Sequence, residues 1–167
     1  ALPKRLPYVV TLRGSDILGT VSDSSGAYTM AGKVNQSISR MVAAKANGVI
    51  LVSEHMQEHL PGLTDFNVIP SGIDFDLFRI IPRDDARKQL GLALDERLVL
   101  FVGNPKQARK RYPLAKAAVD TLNKRLPVRL LVGWGVPHTD IPVYMAACDA
   151  LIFTSMQEGS PNVVKEA

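Results

Sequence analysis

The sequence has few of the features that mark secreted or membrane-spanning proteins. Cys148 is its single cysteine, so no disulfide can form within the chain, which fits a reducing compartment. No apolar run approaches the roughly 18 residues that a membrane span needs, and the first residues do not have the pattern of a signal peptide. Because Cys148 lies in the apolar helical context AACDALIF, we expect it to pack as a small core residue.

The sequence is instead rich in short apolar segments. With 167 residues, 46% of them hydrophobic, the chain can bury a core as one domain or as two small ones. Strand-like segments alternate with helical ones, which predicts an α/β fold with parallel sheets covered by helices. The predicted strands are Tyr8–Leu12, Val49–Val52, Asn67–Ile69, Leu98–Val102, Val128–Val132 and Leu151–Thr154. A first helix is predicted from the apolar positions Val34, Ile38, Met41 and Val42. Three further helices are predicted over Asp84–Leu90, through Ala115–Leu126 and over Ile141–Ala147.

Positive charge is concentrated in the middle of the chain. Residues 83–129 carry 12 Lys and Arg against 5 Asp and Glu, whereas residues 130–167 carry 1 against 4. The densest run is KQARKR, Lys106–Arg111. Such a run suits nucleic acid, but it has no interleaved aromatic residue before Tyr112 and no recognition-helix pattern, so we expect no nucleic-acid partner. A solvated loop is the alternative for Lys106, Arg109 and Arg111.

The most informative segment is QEGSPNVVKEA, Gln157–Ala167. Ser160 is a good N-cap residue and Pro161 suits the first helical position, so a helix is predicted to begin there. The backbone N–H groups of Asn162 and Val163 would then offer an anion site. Glu158 and Glu166 flank that site, where a carboxylate is suited to accept hydrogen bonds from hydroxyl groups. The segment predicts a site for a phosphorylated sugar.

Four segments in order resemble one family. They are VIPSGID (Val68–Asp74), LFVG (Leu100–Gly103) with Lys110 seven residues on, VPHTDIPVYMAACDALIFTS (Val136–Ser155) and the Glu158…Glu166 pair. Together they resemble the retaining GT-B glycosyltransferases of group 1, which use nucleotide sugars. The resemblance covers roughly Pro7–Ala167.

The resemblance implies a fold of two Rossmann-like halves with parallel sheets. Residues 1–72 would be part of the N-terminal, acceptor-side domain and residues 73–167 part of the C-terminal, donor-binding domain, both incomplete. The implied reaction moves a sugar from a nucleotide diphosphate sugar to the hydroxyl of a glycan or glycolipid acceptor with retention of configuration. Such enzymes commonly build surface polysaccharides or glycolipids in the cytoplasm, often resting on the membrane. No metal or other cofactor is expected, since no Asp-x-Asp pair stands at the end of a predicted strand.

The resemblance also implies roles for single residues. Lys110 and Glu158 would be the catalytic pair, with Lys110 on the diphosphate and Glu158 on the donor sugar. Glu166 would bind the ribose. The remaining donor-site positions are Gly103, Asn104, Val136, Pro137, Ser160, Asn162 and Val163. On the acceptor side the matching positions are Arg13 and Asp16.

Three positions depart from the family or allow another interpretation. Asn104 stands where the family commonly has arginine, so one cation is missing or is supplied by a neighbour such as Arg109 or Arg111. Arg13 stands where many members have histidine, and a salt bridge with Asp16 is its structural alternative. Trp134 suits either stacking on a base or capping of a strand end.

Three other functions are compatible with the sequence. His55-Met56-Gln57-Glu58-His59 spells H-x-x-E-H on a predicted helix capped by Ser53, a pattern of zinc enzymes, although a surface helix explains it more simply. A nucleotide-sugar-binding fragment without turnover is the non-enzymatic alternative. A GT-B sugar-nucleotide epimerase is the enzymatic one, against which the spacing of the two glutamates argues.

Overall fold

The computed structural model describes residues 6–22 and 25–167. The chain divides into two compact units. The first unit comprises Ala1–Gly72 with Gln157–Ser160, and the second comprises Ile73–Met156 with Pro161–Ala167. Each unit is built on a parallel sheet of three strands. The predicted α/β class is confirmed.

The first unit contains strands β1 (Val9–Leu12), β2 (Gly48–Leu51) and β3 (Asn67–Val68), in the order β1-β2-β3. Its helices are α1 (Ser15–Leu18), α2 (Met30–Ala43) and a 3₁₀ helix over Glu54–His59. Val9 pairs with Gly48, and Ile50 pairs with Asn67. Buried apolar side chains of the strands and helices form one core that includes Leu12, Ile17, Leu51, Met56 and Leu60.

Helix α2 packs by a different face from the one that its apolar periodicity indicated. Of the four predicted positions, Val34, Ile38 and Met41 are about half exposed, at 52%, 49% and 53%. Val42 is partly buried. The buried face instead carries Gly32, Gln36 and Ala43. A Cβ on Gly32 would lie 2.7 Å from the backbone nitrogen of Thr20, so close backbone approach rather than side-chain size selects the packed face.

The second unit contains strands β4 (Leu98–Val102), β5 (Arg129–Gly133) and β6 (Ala150–Leu151), in the order β5-β4-β6. Leu98 pairs with Arg129, and Val99 pairs with Ala150. The helices are α3 (Arg83–Gln89), α4 (Tyr112–Asn123), α5 (Ile141–Ala147) and α6 (Asn162–Glu166), with 3₁₀ turns over Ala108–Lys110 and His138–Asp140. Its buried side chains include Leu98, Leu100, Phe101, Ala115, Val119 and Ile141.

A charged side chain lies inside the second unit. Arg87 on α3 is 1% exposed. Its Nη2 pairs with Asp149 Oδ2 at 3.0 Å, and its Nε donates to the carbonyl of Ala147 at 2.9 Å. The same Asp149 oxygen accepts the backbone N–H of Leu98 at 2.8 Å. The ion pair therefore joins α3 to the chain segments that enter β4 and β6.

Within residues 6–22 and 25–167, none of the helices has the combination of length and apolar character that crossing a bilayer requires.

Candidate functional site

The sheet of the second unit has a topological switch point between β4 and β6. The chain leaves β4 for β5 on one side, and β6 then pairs with β4 on the other side. Open α/β sheets bind ligands in the crevice that such a switch opens at the carboxyl ends of the strands. The residues that follow β4 and β6 therefore define the candidate site of this unit.

Gly103 and Lys110 meet in this crevice. Gly103 has a φ of +143°, which favours glycine. Lys110 Cδ and Cε lie 3.4 Å from the position that a Cβ on Gly103 would take. The lysine stem thus lies across the glycine backbone, as the seven-residue register suggested.

Two residues after β6, neither of which was predicted from the sequence to belong to the site, hold the Lys110 loop. Lys110 Nζ stands 5.9 Å from the ring centroid of Phe153, a cation–π distance. Thr154 Oγ1 donates to the carbonyl of Lys110 at 2.8 Å. Phe153 and Thr154 lay within a predicted buried strand, but β6 ends at Leu151. Their side chains therefore belong to the loop at the crevice.

Asn104 has a structural use. Its Oδ1 accepts the backbone N–H of Lys106 at 2.9 Å, and its backbone carbonyl accepts the N–H of Gln107 at 3.1 Å. The side chain thus shapes the turn that leads to Lys110. It is uncharged, so it adds no cation to the crevice.

The predicted start of the last helix is wrong by one residue. Pro161, with ψ of 105°, is the N-cap residue of α6, and no side chain caps this end. Because a ψ of 105° lies outside the helical region, the helix begins at Asn162 and Ser160 is not its N-cap. Asn162 Oδ1 is buried and, in the described part of the chain, has no hydrogen-bond partner.

Glu166 lies in a pocket of its own unit beside a residue that the sequence analysis passed over. Its side chain is 10% exposed, and Oε1 lies 3.6 Å from His138 Nε2. The His138 ring meets Phe78 edge-on, with centroids 5.4 Å apart. His138 directly follows Val136 and Pro137, two of the donor-site positions that the resemblance implies, and this neighbourhood was the signal that could have identified it.

Trp134 opens the same loop. Its side chain is 55% exposed, and the following Gly135 has a φ of +75°. Pro137 is the N-cap residue of the 3₁₀ turn His138–Asp140, and its carbonyl accepts the N–H of Asp140 at 2.9 Å. The loop is therefore a tight turn with one exposed aromatic ring at its start.

In the first unit, Asp16 organises the loop after β1. Its carboxylate accepts the backbone N–H groups of Arg13 and Gly14, both at 2.7 Å, and of Ile17 at 2.9 Å. The Arg13 guanidinium reaches Ser71 Oγ at 3.4 Å. The contact between Arg13 and Asp16 thus runs through the backbone amide, where the sequence analysis considered a side-chain salt bridge.

The loop Gln157–Ser160, which carries Glu158, packs with the first unit. From the sequence, this loop was predicted to belong to the second domain together with its flanking residues. Gly159 is buried, and its carbonyl accepts the hydroxyl of Ser53. Gln157 Nε2 donates to the carbonyl of Leu18 at 3.0 Å. These tertiary contacts place the loop, and its own residues do not reveal them.

The two histidines of the H-x-x-E-H pattern, His55 and His59, do not share one face of a helix. Both lie in a 3₁₀ helix, Glu54–His59, which has about 3 residues per turn, so residues four apart point about 120° away from each other. His55 Nδ1 is within 2.9 Å of Ser53 Oγ. No cluster of three or more His, Cys, Asp or Glu side chains suited to a metal occurs in residues 6–22 and 25–167.

A cavity of about 570 Å³ in the second unit, lined by both apolar and charged side chains, borders the candidate site. It is lined by Leu100, Met145 and Leu151, and it reaches Glu166. Cys148 also faces it, and burial together with the nearby Asp149 charge raises the pKa of this thiol to about 11. Cys148 is therefore a neutral, partly buried thiol at pH 7, in agreement with a packing role.

Solved structures with a similar fold define the class. A sucrose-phosphate synthase from Thermosynechococcus elongatus matches with a TM-score of 0.66 at 19% identity, over 98% of this chain and 48% of that chain. Anabaena HepE, solved in complex with UDP and glucose, matches with a TM-score of 0.59 at 22% identity, over 89% of this chain and 46% of that chain. The fold is that of GT-B glycosyltransferase structures.

A curated relative agrees with this class. The chain is 31% identical over 183 residues to the Bacillus subtilis (strain 168) protein "Putative teichuronic acid biosynthesis glycosyltransferase TuaC". The match covers 98% of this chain and 44% of TuaC, so the chain spans less than half the length of this relative. No family model matches the chain. The resemblance drawn from the sequence is confirmed, since the proteins similar to this chain are glycosyltransferases.

Proposed function

We propose that the whole protein transfers a sugar from a nucleotide diphosphate sugar to an acceptor hydroxyl with retention of configuration. In this reaction the bond between the anomeric carbon and the diphosphate oxygen breaks, and the diphosphate leaves with the electron pair. The acceptor oxygen forms the new bond and gives its proton to an oxygen of the departing diphosphate. The observation that carries the proposal is the placement of Lys110 across Gly103 at the β4–β6 crevice. A cation there can neutralise charge that grows on the leaving group.

We assign the donor-side roles as follows. Lys110, with the N–H groups of Asn162 and Val163, binds the diphosphate. The buried Asn162 Oδ1 lacks a protein donor among the described residues, and a ligand hydroxyl would satisfy it. Glu166 binds the ribose with His138 at its side, and Glu158 binds donor-sugar hydroxyls. Gly103 and Asn104 shape the loop that binds the diphosphate. Val136 and Pro137 form the loop that contacts the nucleotide base. Ser160 completes the donor site, in the segment between Glu158 and Glu166.

The acceptor side is proposed to involve the loop after β1. Asp16 holds the backbone of this loop, and the exposed Arg13 supplies a cation for an anionic acceptor group. The name of the relative TuaC refers to teichuronic acid biosynthesis. By that analogy the acceptor is a glycan or glycolipid in surface polysaccharide synthesis. The reaction would take place in the cytoplasm, at the inner face of the membrane.

The test is release of nucleoside diphosphate by the whole protein from a panel of UDP-, GDP- and ADP-sugars. UDP-glucose comes first, because HepE was solved with UDP and glucose. Release that depends on an added acceptor, with the anomeric configuration retained in the product, supports the proposal. Binding without release would support the non-catalytic alternative. Conversion of the donor into an epimeric sugar nucleotide would support an epimerase.

Replacement of Lys110 by alanine is expected to lower kcat about 100- to 1000-fold while changing donor affinity much less. The reason is that negative charge develops on the leaving diphosphate during the transfer. Loss of one preorganised group that stabilises such charge typically lowers kcat by about 100- to 1000-fold. Steady-state kinetics with the active donor check this. Lys106→Ala is the matched control, because Lys106 belongs to the same basic run but is exposed. A fall of less than threefold in both kcat and kcat/KM for Lys110→Ala would contradict the proposed role of Lys110 in stabilising the leaving group.

Activity is expected to persist in EDTA. We propose that Lys110 and the backbone N–H groups of Asn162 and Val163 neutralise the diphosphate in place of a divalent cation. The check is the rate of nucleoside diphosphate release before and after chelation, followed by addition of Mg²⁺ or Mn²⁺. A strict requirement for either ion would contradict this mode of binding.

A further inference from the structure

The loop Gln157–Ser160 is attached to the first unit on both sides of Glu158. On one side, Gln157 Nε2 donates to the carbonyl of Leu18 at 3.0 Å. On the other, Ser53 Oγ donates to the carbonyl of Gly159. Since both neighbours of Glu158 are held, its backbone has little freedom to move relative to the core of this unit.

Gly159 adds a steric constraint to these hydrogen bonds. A Cβ on this residue would overlap the carbonyl oxygen of Arg13 and stand 2.9 Å from its carbonyl carbon. The loop therefore lies directly against the backbone that follows β1. Only a residue without a side chain permits this approach.

The Ser53 hydroxyl takes part in two hydrogen bonds, one with Gly159 and one with His55. This hydroxyl has one proton, which it donates to the Gly159 carbonyl. His55 Nδ1 lies 2.9 Å from Ser53 Oγ. Because the hydroxyl proton is already used, His55 Nδ1 must carry a hydrogen and donate to Ser53 Oγ. The hydrogen bond from His55 thus orients the hydroxyl toward the loop.

We propose that Ser53 is a positioning residue for Glu158, acting through the Gly159 carbonyl. The inference rests on the proposed function, in which Glu158 binds donor-sugar hydroxyls. Loss of the Ser53 hydroxyl would remove this hydrogen bond to the Gly159 carbonyl and let the loop shift. Misplacement of a substrate-orienting group by about 1 Å can cost 10²-fold in rate.

The experiment compares Ser53→Ala, Ser53→Thr and the wild type in the whole protein, with the sugar nucleotide that the panel identifies. For Ser53→Ala we expect kcat to fall about 10- to 100-fold, with less than a threefold change in KM. Ser53→Thr keeps the hydroxyl and is expected to stay within about threefold of the wild type. Ser37→Ala is the control, because Ser37 Oγ also donates to a backbone carbonyl, that of Lys33, but within α2.

Hydrogen exchange of the Gly159 and Ser160 amides provides a readout that does not need turnover. We expect both amides to exchange about 3- to 10-fold faster in Ser53→Ala, the factor of one lost hydrogen bond, and unchanged in Ser37→Ala. If the wild type turns over its donor while Ser53→Ala keeps full kcat, the positioning role is wrong and the proposed function stands. If the wild type releases no nucleoside diphosphate from any donor, the proposed function is wrong. Unchanged exchange in Ser53→Ala would show that Ser53 does not hold the loop.

Discussion

Replacement of Gly159 by alanine is expected to reduce donor turnover in the whole protein by about 100-fold or more. The added methyl group would overlap the backbone carbonyl of Arg13. A flexible side chain could move aside, but a backbone carbonyl that follows a sheet strand cannot do so without shifting the strand end. The loop that carries Glu158 must move instead, so the carboxylate leaves its position. The measurement is kcat with the active donor, together with the thermal unfolding midpoint.

Gly72→Ala is the matched control for this change. A Cβ on Gly72 would have no heavy atom within 4 Å, and Gly72 is not among the glycines with a left-handed φ. We expect its kcat and its unfolding midpoint to match those of the wild type. A Gly159→Ala protein with normal kcat would contradict the close approach of this loop to the Arg13 backbone.

Replacement of Asp149 by asparagine is expected to lower the free energy of unfolding by about 3 kcal/mol, the low end for removing one partner of a buried ion pair. The change leaves the Arg87 guanidinium, 1% exposed, without its countercharge. The low end applies because the Asp149 side chain is itself 36% exposed. Denaturant unfolding gives the difference, and Asp120→Asn, at the exposed Lys116–Asp120 pair, is the control expected to change nothing measurable.

A second substitution separates the buried charge from other effects. Arg87→Met in the Asp149→Asn background removes the uncompensated cation, so the double variant is expected to be more stable than Asp149→Asn alone. If Asp149→Asn cost nothing, or if the double variant were less stable than the single one, the ion pair would not be the source of the effect.

The same carboxylate predicts a pH dependence. Burial raises the pKa of Asp149, but the Leu98 N–H, Arg87 and Arg83 outweigh it, and the net pKa lies below the ordinary value. A lowered folded-state pKa means that this stabilisation is complete above the unfolded-state pKa of about 4 and is lost as the pH falls through the folded-state value. Below about pH 4 the wild type should therefore lose more stability than Asp149→Asn does.

Elements that satisfy local rules were predicted within a residue or two. β4 and α5 were predicted with their observed bounds, Leu98–Val102 and Ile141–Ala147. An apolar run between Arg97 and Gly103 specifies the strand. The proline at the first turn, followed by apolar residues, specifies the helix. Neighbouring residues supply all of this information, so no knowledge of the tertiary fold was needed.

Predictions that required the packed surroundings were less accurate. The apolar positions of α2 indicated a helix but not its buried face, because Gly32 lets the opposite side approach the backbone of Thr20. Ser53 was expected to cap an α-helix through its side chain, whereas its hydroxyl is used by Gly159. In both cases a contact distant in sequence prevails over the local preference.

The sequence by itself determined the alternation of strands and helices and the order of the family segments, and it supplied the candidate groups of the site, above all Lys110 and the two glutamates. Tertiary structure decided which groups meet. Glu166 lies beside His138, Arg87 pairs with Asp149 across 62 positions, and the Glu158 loop packs against Ser53 across 106 positions. The physical reason is that such contacts depend on how the sheet is wound and on where glycine permits backbones to touch. Neither is encoded in the residues adjacent to the site.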